Sequence, residues 1–407
     1  MFQRFLRALV WVSAAAAVMH GCSCEGPTTI ANSKVPEHCE DSPQPLVAQK
    51  TDILFVIDNS GSMKEEQEAV AKELPAFVSE LKNGGGLDQD FQVGVVTTSV
   101  YERGELNGRI QTKTYPLQAG LLQEVPPAVD GGAPSGEKIL VQSDPGLIEK
   151  FSRLVKQGTA GSGQETPFEA ARLAAELAMA PDGGNSGFLR DGARLLVVVV
   201  SDEDDCSEMH RPAVVALGGD SSRDYCTEQS VSLTPVGEYY TAFQRLTDRT
   251  GARRDILWSA IAPVSLNGKQ AQEVTEAFDG GVVTHNVDCP SSNGPGYRQR
   301  EMTYLFDNSL ENLASICSGS YRDTLVSIAR IAAENQTVEL SQNIPDPGLI
   351  VIDLERKNGS VQKCTVGNNG FTFEPATNGR KARVHFTGGC VHRLDDRTIQ
   401  VRLLCAG

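Results

Sequence analysis

Thr51-Asp52-Ile53-Leu54-Phe55-Val56-Ile57-Asp58-Asn59-Ser60-Gly61-Ser62-Met63 is the stretch that decides how this chain folds. The apolar run from Ile53 to Ile57 fits a strand buried on both faces of a parallel sheet, where neither face meets water. It stops at Asp58. From Lys64 to Leu81 the period becomes helical, with Val70, Leu74, Phe77, Val78 and Leu81 on one face. Strand, polar turn and helix in that order put Asp58, Ser60 and Ser62 at the carboxyl end of a strand, where open parallel sheets form ligand sites. A plainer reading has Ser60 or Ser62 capping the helix start.

The same alternation continues along the chain. Strands are expected at Phe91 to Val96, Leu195 to Val200 and Ile256 to Ala262, with a short one near Tyr321. Helices are expected at Leu147 to Val155, Phe168 to Ala180, Val236 to Leu246, Leu310 to Ile316 and Leu325 to Ala333. Residues 101–143 read as a long polar stretch. This is an α/β pattern, a doubly wound, mostly parallel sheet of the Rossmann-like kind over residues 51–333. After about Asn335 the pattern changes to short runs separated by turn signals such as Asn358-Gly359 and Asn369-Gly370. Residues 336–407 are therefore expected to form a small antiparallel β domain braced by disulfides.

Two further pieces join the first. Gly161-Ser162-Gly163-Gln164-Glu165-Thr166-Pro167 is a glycine-rich loop that presents Thr166 before a helix, and the Leu195 to Val200 strand ends in Ser201-Asp202. In order, spacing and flanking elements these three segments resemble the von Willebrand factor A domain family, which includes the integrin I domains. The resemblance implies a metal-ion-dependent adhesion site. Ser60, Ser62 and Thr166 would ligate Mg²⁺ (or Mn²⁺ or Ca²⁺) through hydroxyls, with Asp58 and Asp202 in direct contact or one layer out. Neutral hydroxyls leave much of the ion's charge uncompensated, so a carboxylate on a partner can complete the coordination. The acidic run Glu203-Asp204-Asp205 after Asp202 is read either as a second cation site or, more commonly for such runs, as a solvated loop. With His210 these residues belong to the expected partner-selecting surface, which covers Ser207 to Tyr225 and Tyr101 to Lys138.

Composition and the N-terminus set the context. The chain has 407 residues, 40% hydrophobic and 22% charged, with a formal net charge of −15. That balance excludes a nucleic-acid binder, which needs clustered Lys and Arg. Residues 1–21 read as a signal peptide, with Arg4 and Arg7 before an apolar segment too short to span a bilayer. Met19-His20-Gly21-Cys22 resembles a bacterial lipobox, which implies lipidation at Cys22, and Ser23 implies sorting to the outer membrane. Residues 22–50, rich in Pro, Ser, Thr and Gln, read as a flexible tether. Ten cysteines in an exported chain point to disulfides. Cys206–Cys226 and Cys289–Cys317 are the expected bridges. The pairing of Cys39, Cys364, Cys390 and Cys405 stays open, and Cys24 is the candidate for the odd one.

No enzyme is expected. G-x-S-x-G, H-E-x-x-H, G-x-x-x-x-G-K and G-x-G-x-x-G are all absent, and the six histidines are scattered. A lipidated chain with this domain order resembles the cysteine-rich lipoproteins of myxobacteria, which implies adhesion at the cell surface, including attachment of gliding cells to the substratum. The implied partner is an acidic protein ligand or an extracellular surface or matrix, with outer-membrane motility or envelope proteins beside it. The alternative is a periplasm-facing envelope scaffold that uses the same metal site. A metal-assisted hydrolase is the minor alternative.

Overall fold

The computed structural model describes residues 50–403 apart from 84–88, 108, 130, 134, 210–225, 227–228, 279–280, 334–336, 341–343, 357, 377–381 and 391–397. The chain opens with β1 (Thr51–Ile57), α1 (Lys64–Asn83) and β2 (Phe91–Thr97). A hairpin of β3 (Tyr101–Leu106) and β4 (Arg109–Thr114) follows, then the two-residue β5 (Leu140–Val141), α2 (Leu147–Leu154) and α3 (Pro167–Met179). Next come β6 (Arg194–Val200), α4 (Val236–Gln244), β7 (Ile256–Ala262) and a second hairpin, β8 (Glu273–Phe278) with β9 (Gly281–Asn286). This part of the chain ends with α5 (Tyr297–Phe306), β10 (Leu313–Ser315) and α6 (Arg322–Ala333).

Six strands form one sheet in the order β10-β7-β6-β1-β2-β5. All neighbours run parallel except β5, which is antiparallel to β2. β1 lies at the centre, with Ile53 opposite Val93 on one side and Leu196 on the other. Every residue of β1 and β6 is buried, because helices cover both faces. Ile53, Phe55 and Ile57 pack with the apolar stripes of α1, α2 and α6, and Phe55 meets Phe77 and Phe151 edge-on at 5.6 and 5.2 Å. On the other face Leu54 and Val56 belong to a core with α3 and α4, where Phe168 and Phe243 meet Trp258 at 5.5 and 5.2 Å. A continuous apolar strand satisfies both layers at once.

The structure departs from the sequence expectation in the connections. The polar stretch 101–143 contains the β3–β4 hairpin and β5. Residues 310–316 do not form a helix. Leu310 sits at φ 57°, the Asp307 carboxylate accepts the N–H groups of Ser309 and Asn312, and Leu313–Ser315 pairs with Ala260–Ala262 as an edge strand. The helix lies earlier, at Tyr297–Phe306, where few apolar residues mark a face. Tyr321, expected in a strand, is buried just ahead of α6, and its hydroxyl donates to the Ile316 carbonyl at 2.5 Å.

The second region holds β11 (Thr337–Glu339), β12 (Ile350–Glu355), β13 (Val361–Cys364), β14 (Phe371–Glu374), β15 (Arg383–Phe386) and β16 (Thr398–Leu403). They form two three-stranded antiparallel sheets, β11-β15-β14 and β13-β12-β16, around a core that includes Val338, Ile352, Phe371, Val384 and Val401. A disulfide joins Cys364 to Cys390 here, a pairing the sequence leaves open. Cys22, Cys24, Cys39 and Cys405 lie outside the described residues.

Candidate metal centre

The chain passes from β1 to β2 on one side and later returns to β6 on the other. This reversal opens a crevice at the carboxyl ends of β1 and β6, the usual ligand position in such sheets. Asp58 follows β1, and its N–H donates to the Val200 carbonyl at 2.9 Å. Ser201 and Asp202 follow β6 directly. The Asp58 carboxylate is fully buried; it accepts from Ser60 N–H at 2.8 Å and Ser201 Oγ at 2.6 Å, and also hydrogen-bonds the Ser60 side chain and the Glu165 carboxyl. The Ser60 and Ser62 hydroxyl oxygens lie 3.2 Å apart, and Ser62 hydrogen-bonds the Asp202 carboxylate.

Thr166 reaches the same place from a third segment. It precedes α3 without its side chain capping that helix. Its hydroxyl instead donates to the Thr98 carbonyl at 2.6 Å, beyond the end of β2. The glycine-rich loop is pinned against the β1 turn: Gly161 N–H donates to the Asn59 carbonyl at 2.8 Å, and Ser99 Oγ donates to Asn59 Oδ1 at 2.7 Å. Only glycine fits at 161, because a Cβ would stand 2.3 Å from Asn59 Oδ1. Gln67 of α1 completes the frame, donating to the Asp58 and Gly158 carbonyls at 2.7 and 2.9 Å. Asp58, Ser60, Ser62, Thr166 and Asp202 are therefore gathered at the carboxyl end of the central strands.

The electrostatics are those of a place missing positive charge. Burial pushes the Asp58 carboxyl above its ordinary value. Asp202 is pushed up to about 8, first by burial and then by the Asp58 charge. Glu165, also fully buried, is pushed well up by burial and by Asp58 and Glu203. Asp202 Oδ1 and Glu165 Oε1 are buried and meet no hydrogen-bond donor. Leaving such an acceptor unmatched costs about 1–3 kcal/mol, and a cation would remove the cost. The donor set is hydroxyl and carboxylate oxygen without sulfur or imidazole, the chemistry a hard divalent ion takes. Among the described residues no group of three or more His, Cys, Asp and Glu side chains forms a metal cage; the oxygens here come largely from serine and threonine.

The acidic run after Asp202 is not a solvated loop. Asp204 is buried and accepts the N–H groups of Arg298 and Gln299 at 3.1–3.2 Å, capping α5. Asp205 is buried, accepts from Phe168 N–H at 3.1 Å in the first turn of α3, and pairs with Arg298 at 3.0 Å. Both carboxylates are consumed inside the fold and present no partner surface; helix N-termini and a guanidinium draw them in. Glu203 is half-buried, with Asn293 Nδ2 donating to Oε1 at 3.2 Å. His210 lies outside the described residues. Disulfides join Cys206 to Cys226 and Cys289 to Cys317, with Cα separations of 5.2 and 5.3 Å. In the other expected surface, all six residues of β4 are exposed.

Sequence reasoning passed over Glu165, Thr98, Ser99 and Ser201 as members of the centre. Glu165 carried a signal: an acidic residue directly before the threonine of a glycine-rich loop.

No family model matches the chain, and no curated protein matches it. Similar solved structures include proximal thread matrix protein 1 from the mussel byssus, 11% identical with TM-score 0.33, covering 72% of this chain and 50% of that one. The pilus adhesin SpaC from Lactobacillus rhamnosus GG is also 11% identical with TM-score 0.33, over 89% of this chain and 40% of that one. The human COPII-coat protein Sec24c is 9% identical with TM-score 0.30, over 89% and 44%. The chain spans half or less of the length of these proteins. Likeness at this level carries no argument about function, which stands on the geometry of the crevice.

Proposed function

We propose that the chain is a cation-dependent binding protein of the von Willebrand factor A type, capturing a carboxylate on its partner. Ser60, Ser62 and Thr166 would hold Mg²⁺, Mn²⁺ or Ca²⁺ through their hydroxyls, with Asp58 and Asp202 supplying charge. One observation carries this: three hydroxyl residues share a strand crossover with the buried Asp202, whose Oδ1 has no partner. When bound, the cation supplies a coordination position that an outside carboxylate can take. The chain's own residues orient the loops. Asp58 holds the Ser60 backbone, Thr98 holds Thr166, and Gly161 locks the glycine-rich loop to Asn59.

Binding without turnover is part of this proposal, since Asp58 is fully buried and tied to the Ser60 and Ser201 donors that orient the loops. So is export to the outer membrane with a lipid on Cys22. The use we propose is adhesion to an extracellular surface or matrix, with attachment of gliding cells as the specific case. The test is binding of the purified mature chain to surfaces and to cell-envelope extract, in Mg²⁺ and in EDTA, with Asp58→Ala alongside. Binding should require the metal and fail in the variant. Equal binding in all three samples would sink the proposal. Protease shaving of intact cells then separates a surface adhesin, which is cleaved, from a periplasmic scaffold, which is protected.

A further inference from the structure

The β3–β4 ribbon is a two-stranded sheet, with Tyr101 opposite Thr114, Arg103 opposite Thr112 and Leu106 opposite Arg109. Facing residues in an antiparallel pair alternate between those that exchange main-chain hydrogen bonds and those whose N–H and C=O turn outward. Arg103 fixes the phase. Its N–H leaves the ribbon and donates to Gln164 Oε1 at 3.0 Å, so Arg103 and Thr112 are an outward-turned pair. Two residues back, the Tyr101 carbonyl accepts from Ser162 Oγ at 3.2 Å, in the same phase. Side chains of the glycine-rich loop thus close the outer edge of β3. On β4 the alternation turns the N–H and C=O groups of Ile110, Thr112 and Thr114 outward, and among the described residues β4 pairs with no strand but β3. All six of its residues are exposed.

Such an edge matches a second extended backbone, whose donors and acceptors recur with the same two-residue period. Sheets commonly disarm their edges with proline, a bulge or a covering segment. β4 has no proline, and its register with β3 is unbroken. Arg109, Gln111 and Lys113 share one face of the strand, and Ile110, Thr112 and Thr114 share the other. Lys113 lies 3.6 Å from Glu102, but both are well exposed and such a pair is weak. Two copies of β4 paired antiparallel about Gln111 would set Arg109 against Lys113, like charge against like. An acidic strand would meet both cations instead. The edge also points somewhere: the hydroxyl of Tyr115, the residue after β4, lies 3.3 Å from the Gly161 carbonyl, in the loop that presents Thr166. We propose that the open edge of β4 takes up an extended acidic segment of the partner as an added strand and leads it to the cation centre. The second half rests on the proposed cation-dependent binding; strand addition does not.

The probe is a fluorescein-labelled heptapeptide of alternating glutamate and valine, titrated into the full mature chain by anisotropy, in EDTA and in Mg²⁺. One control replaces glutamate by lysine. The other is the acidic peptide N-methylated throughout, which keeps the charge and loses every main-chain donor. The acidic peptide should bind in EDTA, and both controls should bind at least about tenfold more weakly. In amide exchange followed by NMR, the bound peptide should slow Ile110, Thr112 and Thr114 and leave Gln111 and Lys113 unchanged. Thr112→Pro removes an outward N–H, a place where an edge strand tolerates proline, and should lower the affinity about tenfold. Should that variant lose the hairpin, amide exchange in the wild type carries the test. No binding of the acidic peptide, binding that N-methylation leaves unchanged, or unaltered exchange at the three residues overturns strand addition. A dimer in sedimentation that Thr112→Pro abolishes assigns the edge to a second copy and overturns the acidic partner. Peptide affinity should rise in Mg²⁺ for the wild type and not for Asp58→Ala. Equal affinity in EDTA and Mg²⁺ overturns the link to the centre, and calorimetric titration of Mg²⁺ alone distinguishes that failure from the lack of a cation site.

Discussion

Replacing Asp202 by asparagine keeps the shape of the side chain and removes its charge, which makes it a sharp probe of the centre. Asp202 is 1% exposed, its Oδ1 has no donor, and the nearby Asp58 charge opposes its own. Without a cation the carboxylate is a burden, worth about 1–3 kcal/mol for the unmatched acceptor alone. An amide can donate toward the surrounding oxygens, so Asp202→Asn should melt in chelator at the wild-type temperature or above it. The cation reverses the order. At a free concentration of about 100 Kd it stabilises the wild type by roughly 2.7 kcal/mol. With an unfolding entropy of about 2.1 cal/mol/K per residue, a unit spanning residues 51–333 shifts by about 1.7 °C for each kcal/mol. The wild type should therefore gain about 4–5 °C in scanning calorimetry, and Asp202→Asn close to none. A wild-type midpoint that ignores the cation would refute the reasoning. So would a variant that melts below the wild type in chelator and still shows the full cation shift.

Other predictions test the frame around the centre. Gly161→Ala should cost about 1–3 kcal/mol in urea unfolding and weaken cation binding, because its Cβ would collide with Asn59 Oδ1 and the Asn59 carbonyl, at 2.3 and 2.6 Å. Arg298→Met leaves Asp205 buried without its ion partner and should cost about 3–5 kcal/mol, read in the same unfolding experiment. Replacing Cys206 and Cys226 together by serine opens a loop of sequence separation 20 and should lower stability by about 3 kcal/mol. A reduced wild-type chain should match that double variant once the other two described bridges are accounted for.

The central layers were legible because their burial is unambiguous. β1 and β6 are covered on both faces, so their sequences are continuous apolar runs that few other structures tolerate. α1 and α6 bury one stripe each and show it as helical spacing. Where neither signal operates, reading failed. α5 buries Arg298, Gln299, Met302 and Thr303, a mostly polar set that gives no apolar period. β10 is three residues long, too short for a period of its own, and takes its conformation from the neighbouring β7. The turns after β1 and β6 that carry the candidate ligands are visible because each sits at the end of an obvious strand. The only local sign of Glu165 is that it directly precedes Thr166; its contact with Thr98, 67 positions away, leaves no mark in the surrounding sequence.

The fate of Glu203-Asp204-Asp205 narrows where a partner can be read. Had the run been solvated, it would have flanked the metal with free negative charge and repelled the carboxylate that the site is proposed to catch. Instead Asp205 accepts from Phe168, two residues beyond Thr166, and pairs with Arg298 of α5, while Asp204 caps that same helix. The two carboxylates thus clamp α3, α5 and the loop after β6 into one unit, which fixes Thr166 and Asp202 relative to each other. Cys206 extends the clamp, its N–H donating to the Glu165 carbonyl at 2.7 Å. A centre held this rigidly leaves little room for its own residues to vary with the partner. Selectivity must then come from what stands outside the clamp. Among the described residues the β3–β4 hairpin is the strongest candidate: β4 is exposed throughout, and the buried Arg103 of β3 ties it to the centre, its N–H donating to Gln164 Oε1 at 3.0 Å, one residue from Glu165. Exchanging the exposed β4 residues Arg109–Thr114 for an unrelated polar sequence should leave cation affinity intact and change which surfaces are bound. Loss of cation affinity in that exchange would mean the hairpin supports the centre and does not read the partner.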